Sequence, residues 1–148
     1  MILSDVINKN ALQINMPATD KRQALESLID LLYKDGAVND PDAFIQDVYQ
    51  RESEGKTGIG GFIAIPHGKS DFVNNTCIAI GLLNKPIEWE SLDGNRVKVI
   101  ILFAVNKKDK NDYFVKMMSH VARMLGKEET CEKLLSAAST DELVSAFK

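Results

Sequence analysis

Apolar residues change their spacing along this chain, and the changes separate strands from helices. Leu12, Ile14 and Met16 alternate with polar neighbours up to Pro17, the period of a half-buried strand. Before them, residues 1–3 open the chain and Ser4-Asp5 predicts the cap of a short helical turn. Ala24, Leu25, Leu28, Leu31 and Leu32 then recur at helical spacing. Asp20 stands in front as a cap, Gln23 three positions on completes a capping-box pattern, and Gly36 supplies the stop. Asp40-Pro41 predicts a second helix, with Phe44, Val48 and Tyr49 as its apolar stripe and Arg51-Glu52 near its end.

Residues 62–65 (Phe62, Ile63, Ala64, Ile65) form a continuous apolar run of the kind a buried central strand shows. Pro66 cannot donate to a sheet ladder, so it predicts the end of that strand, with His67 emerging at the tip and a polar loop after it. Residues 77–83 read as a second buried strand, Lys85-Pro86 as a turn, and Asp93-Gly94 as a strong turn dipeptide. The most β-like run holds Val97, Val99, Ile100, Ile101, Leu102, Phe103 and Val105. A helix carrying Phe114, Met117, Met118, Val121, Met124 and Leu125 follows and stops at Gly126. Two more fit residues 128–138 and the stretch from the capping box Ser139-x-x-Glu142 to Phe147. Interleaved strands and helices define an α/β class with a mainly buried sheet between helices. The Asp-Gly turn requires at least one antiparallel pair, hence a mixed sheet. No repeat or linker interrupts the pattern, so residues 1–148 are expected to form one domain.

Composition narrows the function classes. The 148 residues carry a net charge of −3, which offers no basic footprint for nucleic acid or anionic membrane. Cys77 and Cys131 form no Cys-x-x-Cys and no disulfide framework, so a reducing cytoplasm is expected. No apolar stretch is long enough to span a bilayer; any membrane role is expected to come through a partner.

Candidate chemistry gathers between Arg51 and Gly68. Gly55-Lys56-Thr57 is not a P-loop, because Gln50 stands where that pattern needs its first glycine and a helix precedes it. Gly58-x-Gly60-Gly61 is not a dinucleotide fingerprint, since Ile63 occupies the third glycine position and a strand follows. Two readings of these glycines remain: a turn that needs positive φ, which the glycines alone favour, or a nest of N–H groups for an anion. His67 is either a reactive imidazole or a hydrogen-bonded loop histidine. Two histidines without a cysteine pair do not assemble the usual zinc sets, and no Gly-x-Ser-x-Gly elbow supports a serine hydrolase. No metal and no cofactor are expected. His120 falls to one side of the methionine stripe and reads as a boundary or surface residue.

Thr57-Gly58-Ile59-Gly60 followed by Ile63-Ala64-Ile65-Pro66-His67-Gly68 resembles the phosphorylation-site signature of Enzyme IIA of the fructose/mannitol family of the bacterial phosphoenolpyruvate:sugar phosphotransferase system. The similarity extends through Arg51-Glu52-x-x-Gly55, Leu92-Asp93-Gly94 and Val121-Ala122-Arg123-Met124-Leu125, essentially the whole chain. The resemblance implies a mixed sheet of about five strands flanked by helices on both faces. It also implies a phosphotransferase in which His67 accepts a phosphoryl group from the carrier HPr. His67 would pass that group to a cysteine of Enzyme IIB, which serves a membrane Enzyme IIC. A regulatory relative, whose phosphorylation state controls a regulator or transporter, would use the same residues.

Arg51 matches the arginine that supports the active histidine, with a salt bridge to Glu52 or Glu54 as its alternative. The Thr57 hydroxyl and the N–H groups of Gly58, Gly60 and Gly61 become candidate phosphate donors. Phe62 and Ile59 line either an apolar patch around the site or, for Phe62, the core. Four positions depart from the family pattern: Lys56 stands for Ser, Gly61-Phe62 for Asn-Gly, and Phe114 for a second active-site histidine.

Overall fold

A computed structural model describes residues 2–148. In chain order it contains α1 (Leu3–Val6), β1 (Ile7–Met16), α2 (Lys21–Lys34), α3 (Pro41–Glu52), β2 (Gly58–Gly60) and β3 (Ile63–Ala64). There follow β4 (His67–Ser70), β5 (Cys77–Ile87), β6 (Val97–Asn106), α4 (Asn111–Leu125), α5 (Glu128–Leu135) and α6 (Thr140–Ser145). One six-stranded mixed sheet runs β1-β5-β6-β3-β2, and β4 pairs with β6 beyond β3. β5 and β6 are antiparallel, as the Asp93-Gly94 turn between them requires, while β1–β5, β3–β6 and β4–β6 are parallel.

Strand alternation assigns the two helix layers. Ile100, Leu102 and Ala104 of β6 pack with Leu25, Leu28 and Leu32 of α2 and Phe44 and Val48 of α3. Val99, Ile101, Phe103 and Val105 face the other way, onto Met117, Val121 and Leu125 of α4, Leu134 of α5 and Leu143 of α6. The mixed sheet flanked on both faces is therefore the architecture that the sequence pattern predicts.

Local signals hold at several ends. Asp40 accepts the Ala43 N–H at 3.0 Å with Pro41 in the first turn, and Ser139 and Glu142 form a complete capping box. At α2 only half of the expected box exists: Asp20 accepts from Gln23 N, but the Gln23 amide oxygen takes the Thr19 N–H instead. Ser4 and Asp5 lie inside α1, which begins after Ile2, and the expectation for Met1 falls outside the described residues. Lys85-Pro86 makes no turn; both lie in the exposed end of β5, where a register irregularity between Leu82 and Ile87 absorbs the proline.

The central stretch differs most from expectation. The buried strand is only Ile63–Ala64, because Phe62 sits at φ 68°, 41% exposed, at the tip of the β2–β3 hairpin. Pro66 does not end the strand for good. Ile63 and Ala64 pair with Val99 and Ile100, and His67 to Ser70 pair with Phe103 to Asn106 at the same offset. β3 and β4 are thus two halves of one strand interrupted at Ile65-Pro66, where the Pro66 carbonyl still accepts the Phe103 N–H at 3.0 Å. His67 is the first residue of the second half, not a strand tip before a loop.

Candidate functional site

Among the described residues β4 pairs only with β6, so His67 stands at an open edge of the sheet. The end of α3 lies on one side of this edge and the start of α4 on the other. Gly68 makes that approach possible. A Cβ there would lie 2.9 Å from Val48 Cγ2, 3.0 Å from Phe44 Cε1 and 3.2 Å from Val48 N. A residue without a side chain lets α3 settle onto β4, which brings Arg51, one turn beyond Val48, to the imidazole.

Two hollows meet at His67. One of about 370 Å³ is lined by Asp47, Gln50, Arg51, Glu54, Lys69 and Phe114 as well as His67. The other, of about 290 Å³, adds Lys56, Thr57, Ile59, Ile65 and Met118 to Arg51, His67 and Phe114. His67, Arg51 and Phe114 border both. The Phe114 ring lies 5.1 Å from the imidazole, tilted by 42°, and meets Phe103 edge-on at 6.2 Å. Lys69, two residues along β4 and so on the same strand face as His67, holds its Nζ 4.9 Å from the Phe114 ring centroid and donates to Asn111 Oδ1 at 3.1 Å.

The imidazole is half-buried, and its Nδ1 lies 3.5 Å from the Ile65 carbonyl oxygen. A carbonyl only accepts, so the neutral ring places its proton on Nδ1 and leaves the Nε2 lone pair free. Burial pushes its pKa below the ordinary 6.5; the Ile65 hydrogen bond opposes this, and the Arg51 and Lys69 charges add to it. The ring is neutral at pH 7 and nucleophilic at Nε2.

Arg51 donates to the Gly55 carbonyl at 3.2 Å, and Glu52 pairs with Lys21 at 3.3 Å, not with Arg51. The four candidate phosphate donors are a correction. Thr57 is 2% exposed, and its hydroxyl donates to the Glu52 carboxylate, 2.6 and 2.8 Å from its two oxygens, while accepting from Trp89 Nε1 at 2.9 Å. Gly58 N–H donates to the Glu90 carbonyl (3.0 Å), Gly60 N–H to Ser91 Oγ (3.2 Å) and Gly61 N–H to Asp93 Oδ2 (3.1 Å). Hydrogen bonds from Asn95 and Gly61 hold the Asp93 carboxyl below its usual range, so that partner stays ionised. The glycine N–H groups are occupied by the 88–96 connection and form no anion nest. At Gly58 a Cβ would lie 2.6 Å from Ser91 Cβ, which is why that position lacks one.

Of the two apolar candidates, Ile59 borders the smaller hollow and Phe62 is exposed away from both. His120 is half-buried on α4 and borders neither. Sequence reasoning missed Lys69, whose i, i+2 spacing from His67 becomes a signal once β4 is read as a strand. It also missed Trp89 and Lys21, which reach Thr57 and Glu52 only through the fold.

A neutral histidine at a sheet edge, flanked by cations and open to approach, can serve chemically as a nucleophile for group transfer. The profile of the family described as phosphoenolpyruvate-dependent sugar phosphotransferase system, EIIA 2, matches residues 5–148, and the chain belongs to that family. It is 30% identical over 148 residues to the 2-O-alpha-mannosyl-D-glycerate-specific EIIABC component of Escherichia coli K12, covering 99% of this chain but only 22% of that protein. It is 31% identical to the fructose-specific EIIA component of Haloferax volcanii, covering 93% of this chain and 88% of that one. The same fold appears in the nitrogen regulatory protein IIA-Ntr of Neisseria meningitidis (TM-score 0.90, 20% identity, all of both chains). It appears again in the mannitol enzyme IIA, solved in complex with its phosphorylated enzyme IIB from Escherichia coli (TM-score 0.78, 20% identity, 95% of this chain and 96% of that one). No helix of the described residues is long and apolar enough to cross a membrane.

Proposed function

We propose that residues 1–148 act as one phosphocarrier domain in the cytoplasm, taking a phosphoryl group from phospho-HPr onto His67 and delivering it to an Enzyme IIB cysteine. A membrane Enzyme IIC coupled to that IIB would then move and modify the sugar. The observation that carries the reading is the His67 ring itself: neutral, with Nδ1 directed at a carbonyl and Nε2 free, beside Arg51 and Lys69 at an unpaired strand edge. The family membership and the IIA–IIB complex of a protein of the same fold support the partners.

In the first step the Nε2 lone pair attacks the phosphorus of the donor's phosphohistidine in line. The new N–P bond forms as the donor's N–P bond breaks, and the donor imidazole leaves neutral, so no proton has to move. In the second step an acceptor thiolate attacks the same phosphorus, forming S–P as the His67 N–P bond breaks. Little covalent chemistry is left for the protein, and its contribution is placement and charge. Arg51 offers a planar fork for two phosphoryl oxygens, and Lys69 a mobile point charge from the opposite wall. The edge location serves both steps, because donor and acceptor must reach the same atom in turn.

Reconstitution with Enzyme I, HPr and phosphoenolpyruvate tests the reading. Acid-labile phosphate should appear on His67, and His67→Ala should keep the fold and accept none. Phosphate on that alanine variant would refute the assignment.

A further inference from the structure

Thr57 stands in a motif beside the nucleophile yet has no free hydroxyl to offer a phosphate, and its bonds lead to both halves of the site. Its side chain donates to Glu52, the residue next to Arg51 in the last turn of α3. That bond closes a loop over residues 53–56, and within the loop the Gly55 carbonyl accepts the Arg51 guanidinium at 3.2 Å. The Thr57 backbone carbonyl accepts the Ile65 N–H at 2.9 Å, and the Ile65 carbonyl faces His67 Nδ1. One residue therefore sits between the support of the cation and the support of the nucleophile.

Thr57 is itself fixed from behind. Trp89, buried, donates its Nε1–H to the hydroxyl. Lys21 reaches across from α2, 3.3 Å from Glu52 Oε1, 2.9 Å from Glu90 Oε1 and 4.7 Å from the Trp89 ring centroid. The Glu52 side chain is only 6% exposed, so its carboxylate depends on Lys21 and Thr57 for partners. No contact in this network touches the reacting atoms.

We infer that Thr57, clamped by Glu52 and Trp89, is a positioning residue that sets Arg51 and the His67 ring relative to each other for phosphoryl transfer. Thr57→Val removes the donor and the acceptor at nearly constant shape, whereas Thr57→Ser keeps both. The inference rests on the phosphocarrier reading, so one of its two readouts needs no phosphoryl donor. That readout is the NMR titration of the His67 ring, on which Arg51, Lys69 and Glu54 act together with its burial and the Ile65 carbonyl. Thr57→Val keeps the backbone carbonyl that holds Ile65 but releases the 53–56 loop, so the Arg51 charge loses its fixed place and the midpoint should move away from wild type, while Thr57→Ser stays with wild type.

The second readout is single-turnover transfer from phospho-HPr. Thr57→Val should lower the saturating rate by roughly 10- to 100-fold, the scale on which small misplacements of reacting groups act. The half-saturating donor concentration should stay unchanged, and Thr57→Ser should recover the rate. A folded Thr57→Val protein with wild-type titration and wild-type saturating rate overturns the inference. If wild type accepts no phosphate, the phosphocarrier reading fails, and the titration still decides the positioning claim. Should Thr57→Val not fold, Glu52→Gln takes its place. The amide weakens the Thr57 bond, so the saturating rate should fall at unchanged half-saturation, and an unchanged rate overturns the claim.

Discussion

Burial is the largest influence on His67, and Phe114 supplies the ring packed against it. Replacing that phenyl ring by methyl admits water to the imidazole. Phe114→Ala should therefore raise the His67 pKa towards 6.5 and shorten the lifetime of the phosphorylated form. NMR titration and the decay of labelled protein measure the two effects. Arg51→Ala should also raise the His67 pKa, by removing a nearby positive charge, and should slow transfer without abolishing it. Unchanged single-turnover rates would remove Arg51 from the site. Phe114→His separates packing from chemistry: it restores a ring of similar size that carries a donor, and a transfer rate equal to wild type would mean that the ring's shape is what the site uses. At this scale the sequence was informative about identity and silent about partners. His67 stood out in the sequence after Pro66, and Arg51 only through the family resemblance, and the fold brings the two to the same hollows. The engagement of Gly58, Gly60 and Gly61 was not legible, since their acceptors lie some thirty positions away at Glu90, Ser91 and Asp93.

Elements position the site through the contact between α3 and β4. Gly68→Ala puts a methyl group against Val48 and Phe44 with no room to receive it. Overpacking of this kind costs about 1–3 kcal/mol, and here the relief is a shift of α3 that carries Arg51 outward. Urea denaturation should show the loss of stability, and the transfer rate should fall further than the unfolded fraction explains. Helix limits were legible where a cap announces them, at Asp40-Pro41 and at Ser139. The strand limits around Pro66 were not. A proline removes one donor, yet the Pro66 carbonyl still accepts the Phe103 N–H, so the interruption is confined to Ile65-Pro66. The ladder therefore pauses at the position that the sequence marks as a break and resumes at the same offset from His67 onward.

Across the whole molecule, the two helix layers follow from alternation along β6, which is why the architecture could be read before the topology. The order β1-β5-β6-β3-β2 needed long-range pairing that no local signal carries. Global stability should register the half-buried imidazole. The folded pKa of His67 lies below 6.5, so from that folded value up to about 6.5 the unfolded chain binds more protons than the native one. Stability should then be full above that window, decline as pH falls through it, and level off below the folded pKa. His67→Gln lacks this titration, and denaturant midpoints of the two proteins, compared at pH 7.5 and 5.5, should show wild type losing ground on acidification.

The shared offset of β3 and β4 against β6 has an aiming consequence. Because neighbouring strand residues point to opposite sides, the spacer between Ala64 and His67 fixes which helix layer receives the imidazole. One residue more or less there would turn the ring from Phe114 towards Val48 and put Gly68 where a side chain is needed. Length, more than composition, is what this joint has to preserve.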